Sequence, residues 1–248
     1  MKFPIFSELI STSRYLVAFV LLVVTALYLL SLSERVRAFI YKQSYTKKEK
    51  AGLILFFGVL GILASEFGLK LFGIIFNFRD CIAIFAGILG GPVVGIGAGL
   101  ISGLYRMTGV IWTGFTGTIG FWSAIGCGVA TVGAGFVGAW LSKYRKINIK
   151  TITNKEVLLV VLITAFWEVI HLEVIVPLIS PLYTTKTISG IAILFAQQLL
   201  IPMVIANALG ILLFLLIAKD IALKREAELA LKELRKAEEE IKEIEEKK

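Results

Sequence analysis

The chain has 248 residues, 57% of them hydrophobic, and a formal net charge of +8 at pH 7. Soluble domains are typically about 45–50% apolar, so this composition excludes an ordinary soluble enzyme. The charge does not indicate a nucleic-acid partner, because the basic residues lie in loops beside apolar runs, as in membrane proteins. The sequence therefore predicts an all-α polytopic membrane bundle with no catalytic residues and no catalytic domain.

The candidate membrane spans are six apolar runs. They cover residues 15–32, 51–76, 81–106, 111–141, 157–180 and 188–218. A spanning helix needs ~20 apolar residues, so most of these runs are long enough to cross a bilayer. We expect the first run to be an uncleaved anchor, since it lacks an A-x-A-like cleavage site and its basic flank follows it.

The orientation of the chain follows from two basic loops. Residues 33–50 contain six Lys and Arg residues, and residues 142–156 contain five. Loops of this kind are usually cytoplasmic. If 81–106 were one span, three crossings would separate the two loops, and one loop would lie outside. The alternative is that the positive-inside rule fails at one of them.

A helix-breaking motif, Gly90-Gly91-Pro92, resolves this conflict. Proline lacks a donor N–H and clashes with the preceding turn, and the paired glycines weaken the helix. We therefore predict two short helices, 80–90 and 92–106, that form a broken or re-entrant hairpin. The crossing count is then even, which places both basic loops and the C-terminus in the cytoplasm and the N-terminus outside the cell membrane.

A stripe of small residues runs through this broken hairpin. Gly87, Gly91, Gly95, Gly99 and Gly103 recur every four residues. This small-xxx-small spacing lets helix backbones approach closely. We interpret it as a packing motif.

Two arginines are the main candidate ligand-binding residues. The predicted topology places Asn77, Arg79 and Asp80 at the outer end of one helix and Arg106 at the outer end of the hairpin. Ionisable groups within spans are costly and are often functional, although interfacial arginines also extend to lipid phosphates. Two guanidinium groups at one opening suit a small carboxylate, which each can bind with two hydrogen bonds.

Three further polar residues are predicted to face the same region. Glu168 and His171 lie one turn apart on one span. Their E-x-x-H spacing matches half of a metal site, but no second set of ligands is present, so we expect neither a metal nor another cofactor. Pairing with the arginines is the alternative role. Asn207, five residues after Pro202, is predicted to bind ligand or to satisfy backbone groups freed by that proline.

The charged C-terminal tail has a heptad pattern. Its a and d positions include Leu223, Ala227, Leu234, Ile241 and Ile244. This spacing predicts a parallel coiled coil that joins two protomers. A single solvated helix is the alternative.

These features divide the chain into three parts. Residues 1–50 form an N-terminal span and a basic loop, residues 51–218 form the polytopic module, and residues 219–248 form the coiled-coil helix.

The polytopic module resembles the LytS/YhcK-type five-transmembrane receptor module of bacterial and archaeal sensor proteins. The matching stretches are Asn77–Asp80, Gly87–Gly95, Gly99–Arg106 and Pro202–Gly210, together with an acid at Glu168. The resemblance covers about residues 51–218. The segment after Arg106 departs from the family pattern, which leaves the identity of the ligand open.

The resemblance implies a membrane sensor of a two-component system, linked in some members to cell-wall turnover and in others to pyruvate. In that family the module signals to a histidine kinase or a diguanylate cyclase. The tail here has no histidine to phosphorylate and no ATP-binding glycine box. We therefore expect a receptor rather than an enzyme, with the output domain on another chain or missing through truncation.

A transport function is the competing interpretation. Small substrate-binding subunits of vitamin transporters also have short Gly-Pro-broken helices, both ends inside and an outward-facing pocket. They seldom end in a heptad-bearing helix, so the tail favours signalling.

Overall fold

The computed structural model describes residues 31–42, 44–66, 69–71, 74–112, 118–179 and 200–247, together with Leu21, Thr25 and Tyr28. Most of the predicted span 15–32 and residues 188–199 of the predicted span 188–218 lie outside the described residues.

The described chain is a helical bundle with one small β-hairpin. Its elements, in chain order, are α1 (Glu34–Ile40), α2 (Lys47–Glu66), β1 (Leu69–Leu71), β2 (Ile74–Phe76), α3 (Arg79–Gly90), α4 (Pro92–Trp112), α5 (Thr118–Lys143), α6 (Asn154–Ile170), a π-helical turn (His171–Ile175), α7 (Val176–Ile179) and α8 (Ile201–Glu246).

The bundle has the surface of a membrane protein. In the part of the chain that the structure describes, three helical segments are long and apolar enough to cross a membrane: Phe121–Lys143, Asn154–Ile179 and Ile201–Glu246. Their outward faces expose large apolar side chains, such as Leu162 and Phe166, which are 57% and 64% exposed. Apolar surface on this scale needs a nonaqueous environment, so the predicted all-α membrane bundle is confirmed.

The predicted break at Gly90-Gly91-Pro92 is confirmed. Helix α3 ends at Gly90, and α4 begins at Pro92. Gly91 between them has a φ of 83°, a conformation that side chains other than glycine rarely adopt. Proline is well suited to the first turn of α4 because its fixed φ is helical and its missing N–H is not needed there.

The two arms of this hairpin differ in length. Helix α3 has 12 residues and is ~18 Å long, whereas α4 has 21 residues and is ~31 Å long, at 1.5 Å per residue. The prediction of two short arms is therefore wrong for the second arm. Helix α4 continues past Arg106 to Trp112, because the single Gly109 in that stretch weakens the helix by only about 1 kcal/mol relative to alanine.

Helix α3 lies at the centre of the bundle. Eleven of its 12 residues are buried, all except Leu89. Glycines permit the close packing around it: a Cβ at Gly87 would lie 2.5 Å from the Gly138 carbonyl carbon, and one at Gly103 would lie 2.6 Å from the Gly128 oxygen. These distances leave no room for a methyl group, so the short spacing between α3, α4 and α5 depends on glycine.

The predicted span 51–76 is wrong at its C-terminal end. Helix α2 stops at Glu66, and the antiparallel strands β1 and β2 pair Leu69 with Phe76. The stretch is apolar throughout, so hydropathy could not separate a helix from a hairpin.

The two basic loops lie on the same face of the bundle. One cavity is lined by atoms from residues 42 and 44–50, from the Gly90-Gly91 turn and from residues 142–151. The start of the tail is on this face as well, because Glu228 of α8 forms an ion pair with Arg37 of α1. The arrangement agrees with the even crossing count predicted between the loops.

Candidate functional site

A cluster of buried polar side chains lies inside the bundle, where α3 begins. Its members come from segments that are distant in sequence. They are Ser65, Asn77, Arg79, Asp80, Arg106, Thr131, Glu168, His171 and Asn207, and each is at most 7% exposed. The structure thus brings all six predicted ligand-binding residues into the protein interior.

Arg79 is fully buried and held by two hydroxyl groups. Its Nε donates to Thr131 Oγ1 at 3.2 Å, and its Nη1 donates to Ser65 Oγ at 2.8 Å. Within the described part of the chain, Nη2 has no hydrogen-bond partner. One edge of the guanidinium group is therefore fixed by the protein, while Nη2 can still donate.

Arg106 comes from α4 and is 7% exposed. The guanidinium group of Arg106 is near enough to that of Arg79 for the two positive charges to repel each other. Among the described residues, Arg106 Nε lacks a hydrogen-bond partner. Because both side chains are buried in protein, neither is an interfacial arginine that extends to lipid phosphates.

Asp80 is the acid nearest to Arg79 along the chain, and it is almost fully buried. Its Oδ1 lies 2.7 Å from Thr131 Oγ1, and its Oδ2 accepts a hydrogen bond from Trp167 Nε1 at 3.2 Å. The same Oδ2 is 3.1 Å from His171 Nδ1. Asp80 thus connects the start of α3 to α5 and α6.

Glu168 and His171 face each other, as their spacing of three residues predicts. His171 Nδ1 is 3.3 Å from Glu168 Oε2. With carboxylates of both Glu168 and Asp80 beside Nδ1, the proton belongs on that nitrogen. In the described part of the chain, His171 Nε2 and Glu168 Oε1 have no hydrogen-bond partner.

A π-helical turn begins at His171. The N–H of Val176 donates to the His171 carbonyl, five residues back instead of four. Pro177 explains the wider turn, because its ring would clash with the carbonyl of Glu173, four residues earlier. Single π-helical turns are frequent at functional sites.

Asn207 joins α8 to the start of α3. Its Oδ1 accepts from the Cys81 backbone N–H at 3.0 Å, and its Nδ2 donates to the carbonyls of Asn77 and Met203 at 3.2 and 3.1 Å. The side chain therefore satisfies an N–H in the first turn of α3, where helical acceptors are missing. Both of its amide hydrogens are used inside the protein, so ligand contact by Asn207 stays a prediction.

The charges of the cluster balance. Arg79 and Arg106 contribute two positive charges, and Asp80 and Glu168 contribute two negative ones when ionised. The sum is zero while His171 is neutral. A bound monoanion would therefore be balanced by a proton on His171 or on a carboxylate.

Three of these residues also have the donor atoms of a metal site. The ligating atoms of Asp80, Glu168 and His171 lie within 4.8 Å of one another. His171 Nδ1 is 3.1 Å from Asp80 Oδ2 and 3.3 Å from Glu168 Oε2, distances that hydrogen bonds from Nδ1 also explain. The two buried arginines add positive charge nearby, which disfavours a cation. The geometry therefore gives no separate argument for a cation.

Sequence reasoning missed several members of the cluster. Ser65, Thr131 and Trp167 contact Arg79 or Asp80 only through the fold. Asp80 was placed beside Arg79 but was not counted among the ligand-binding residues, although an acid within an apolar stretch is as uncommon as an arginine. The hydroxyl groups offered no such signal, since Ser and Thr are common in spans.

Comparison with known proteins gives matches to sensor proteins. The sequence profile of the family described as "5TMR of 5TMR-LYT" matches residues 33–221. Sensor protein LytS of Bacillus anthracis is 27% identical over 224 residues, which cover 84% of this chain and 33% of LytS. Sensor histidine kinase BtsS of Escherichia coli K12 is 27% identical over 165 residues, which cover 66% of this chain and 26% of BtsS. No solved structure matches the chain.

Proposed function

Because the chain belongs to the 5TMR-LYT family, we propose that it is a membrane sensor module that binds a small carboxylate between Arg79 and Arg106. The observation that carries the proposal is the pair of buried guanidinium groups, each with an N–H that has no partner among the described residues. The chain spans about one third of the length of LytS, so the activity of a longer receptor is also part of the proposal.

The two guanidinium groups favour an anion between them, while a proton on His171 or on a carboxylate keeps the cluster neutral. Two like charges in a low-dielectric interior repel each other strongly, and among the described residues the side-chain hydrogen bonds of Arg79 go to neutral hydroxyl groups. A carboxylate between the two guanidinium groups accepts charge-assisted hydrogen bonds from both and removes the repulsion. A cation or a neutral ligand gains neither effect.

The surroundings of the arginines favour a small ligand. Arg79, Glu168 and His171 are all 0% exposed, so the ligand is enclosed by protein. A second polar group of the ligand can use two atoms that have no partner among the described residues: Nε2–H of protonated His171 can donate to an oxo oxygen, and Glu168 Oε1 can accept from a hydroxyl group. A short 2-oxo or 2-hydroxy acid has both features.

Helix α8 provides a route from this site to an output domain. Asn207 binds the first turn of α3, where Arg79 lies, and α8 runs without interruption from Ile201 to Glu246. The seam residues Leu223, Leu234, Ile241 and Ile244 are all more than half exposed, so they are accessible to a second protomer. A movement of Arg79 on ligand binding would reach the tail through Asn207.

The relatives favour sensing over transport. LytS and BtsS are a sensor protein and a sensor histidine kinase by name. We therefore propose that this module relays the ligand signal through a tail dimer to a histidine kinase or another output domain, with the tail and both basic loops in the cytoplasm.

Thermal stability of the purified full chain in detergent tests the ligand class. Pyruvate, lactate, acetate and their uncharged amides would each be added at increasing concentration. A ligand present at 100 times its Kd stabilises the folded state by about 2.7 kcal/mol, so at least one acid should raise Tm. The matching amide should not. Equal effects of acid and amide would overturn the carboxylate proposal.

A further inference from the structure

A second candidate site lies on the face that carries the basic loops. It is a cavity of ≈ 720 Å³ between residues 42 and 44–50, the Gly90-Gly91 turn and residues 142–151. Four lysines line it, and no acidic residue of the described chain does: Lys42, Lys50, Lys146 and Lys150. Hydroxyl and amide groups line it too, from Ser44, Tyr45, Ser142, Asn148 and Thr151. This set of donors is suited to an anion with several oxygens.

Most of this positive charge is uncompensated. Lys42 forms an ion pair with Glu49, whereas Lys50, Lys146 and Lys150 form no ion pair with any described carboxylate. The Lys150 ammonium lies 4.0 Å from the centre of the Tyr41 ring, and burial lowers the pKa of Lys150. Lys146 has a φ of 54°, which residues with a side chain rarely adopt.

An apolar groove adjoins the basic cavity. It has a volume of ≈ 410 Å³ and lies between α1, α2, α3 and α8. Ile40 and Leu89 line both the groove and the cavity. Phe39 of the groove also packs against Tyr45 of the cavity, with ring centroids 5.2 Å apart. The two spaces therefore form one amphipathic site.

We propose that this site binds an anionic phospholipid, with its phosphate in the basic cavity and one acyl chain in the apolar groove. The phosphate oxygens accept hydrogen bonds from lysine, amide and hydroxyl groups, and the acyl chain covers exposed apolar surface such as that of Phe56, which is 44% exposed. Anionic lipids are enriched at the cytoplasmic surface, where the positive-inside rule places both basic loops.

A soluble phosphate compound shares the headgroup chemistry but not the acyl chain. It would use the basic cavity and leave the groove uncovered, so the apolar half of the site favours the lipid. The proposal does not depend on the carboxylate site, because none of the cavity and groove residues belongs to the polar cluster around Arg79.

Native mass spectrometry of the detergent-purified full chain tests this proposal. Phosphatidylglycerol and phosphatidylcholine with identical acyl chains would be added separately, and the lipid-bound fraction would be measured. The expected result is retention of phosphatidylglycerol in preference to phosphatidylcholine. The double variant Lys146→Gln/Lys150→Gln should bind phosphatidylglycerol about tenfold more weakly, since two charged donors are lost.

The matched control is Lys143→Gln/Lys155→Gln, which removes the same charge from exposed positions outside the cavity. It should keep the affinity within about twofold, because neither lysine lines the cavity that holds the phosphate. Equal weakening in both double variants, or equal retention of the two lipids, would overturn the proposal. Displacement of phosphatidylglycerol by equimolar glycerol 3-phosphate would also overturn it, in favour of a soluble phosphate ligand.

Discussion

Replacement of Asn207 by alanine should destabilise the bundle strongly, although one amide group is all that is lost. The side chain accepts from the Cys81 N–H and donates to the Asn77 carbonyl, both in the interior. The carbonyl of Met203 is affected less, because it is four residues earlier in the same helix and has the usual helical donor. Two buried backbone groups therefore lose this partner.

A buried polar group that loses its partner costs about 1–3 kcal/mol, so loss of the acceptor of the Cys81 N–H alone should lower the free energy of unfolding by about 1–3 kcal/mol. That is a substantial part of a typical total of 5–15 kcal/mol. The measurement is denaturant-induced unfolding of the detergent-solubilised protein. Asn148→Ala is the matched control, because Asn148 accepts from the Lys150 N–H at an exposed position, where water can replace it.

We expect the Asn148 variant to change stability by less than about 0.5 kcal/mol, as surface substitutions usually do. Equal changes in the two variants would refute the reasoning, since they would show that Asn207 does not connect α8 to α3.

Three further predictions concern topology, the tail and helix packing. Asn148→Cys should resist a membrane-impermeant thiol reagent added outside the cell, because its loop is predicted to be cytoplasmic; efficient labelling would contradict the orientation. Leu234→Lys/Ile241→Lys should abolish cross-linking through the tail by placing like charges in the seam, and undiminished cross-linking would favour a single solvated helix. Gly135→Ala should lower the unfolding free energy, since its Cβ would collide with the Gly95 oxygen. Gly52→Ala is the control, because no atom lies within 4 Å of the new Cβ; it should leave the unfolding free energy unchanged or raise it by up to about 1 kcal/mol. Equal losses of unfolding free energy in the two variants would argue against a packing role for Gly135.

The sequence predicted the features of the fold that depend on local chemistry. The break at Gly91 follows from the conformations of glycine and proline, and the apolar faces follow from hydropathy. The β-hairpin and the continuation of α4 to Trp112 could not be predicted in this way. In both cases the apolar pattern continues, and tertiary packing decides the local structure.

The same distinction holds for the candidate site. Arg79, Arg106, Glu168 and His171 were predicted because charged residues are uncommon in spans, and the structure places them in one cluster. The link between Asn207 and Cys81 depends on contact between segments more than 100 residues apart, for which one sequence contains no signal.

The central claim is that one carboxylate lies between Arg79 and Arg106, and a calorimetric double-mutant cycle tests it most directly. Binding of the best acid from the thermal screen would be measured for wild type, Arg79→Ala, Arg106→Ala and the double variant. A charge-assisted hydrogen bond is worth about 1.5–3 kcal/mol, so each single change should weaken binding roughly 10- to 150-fold. Arg79→Lys should also bind poorly, because lysine keeps the charge but lacks the planar fork.

Arg145→Ala is the control, because Arg145 is exposed and lies in the basic loop away from the cluster. If both arginines bind the same carboxylate, their effects are coupled, and the double variant should lose less than the product of the two single losses. The Arg145 variant should bind as wild type does. Wild-type binding retained in both single arginine variants, with the proteins folded by thermal denaturation, would contradict the account.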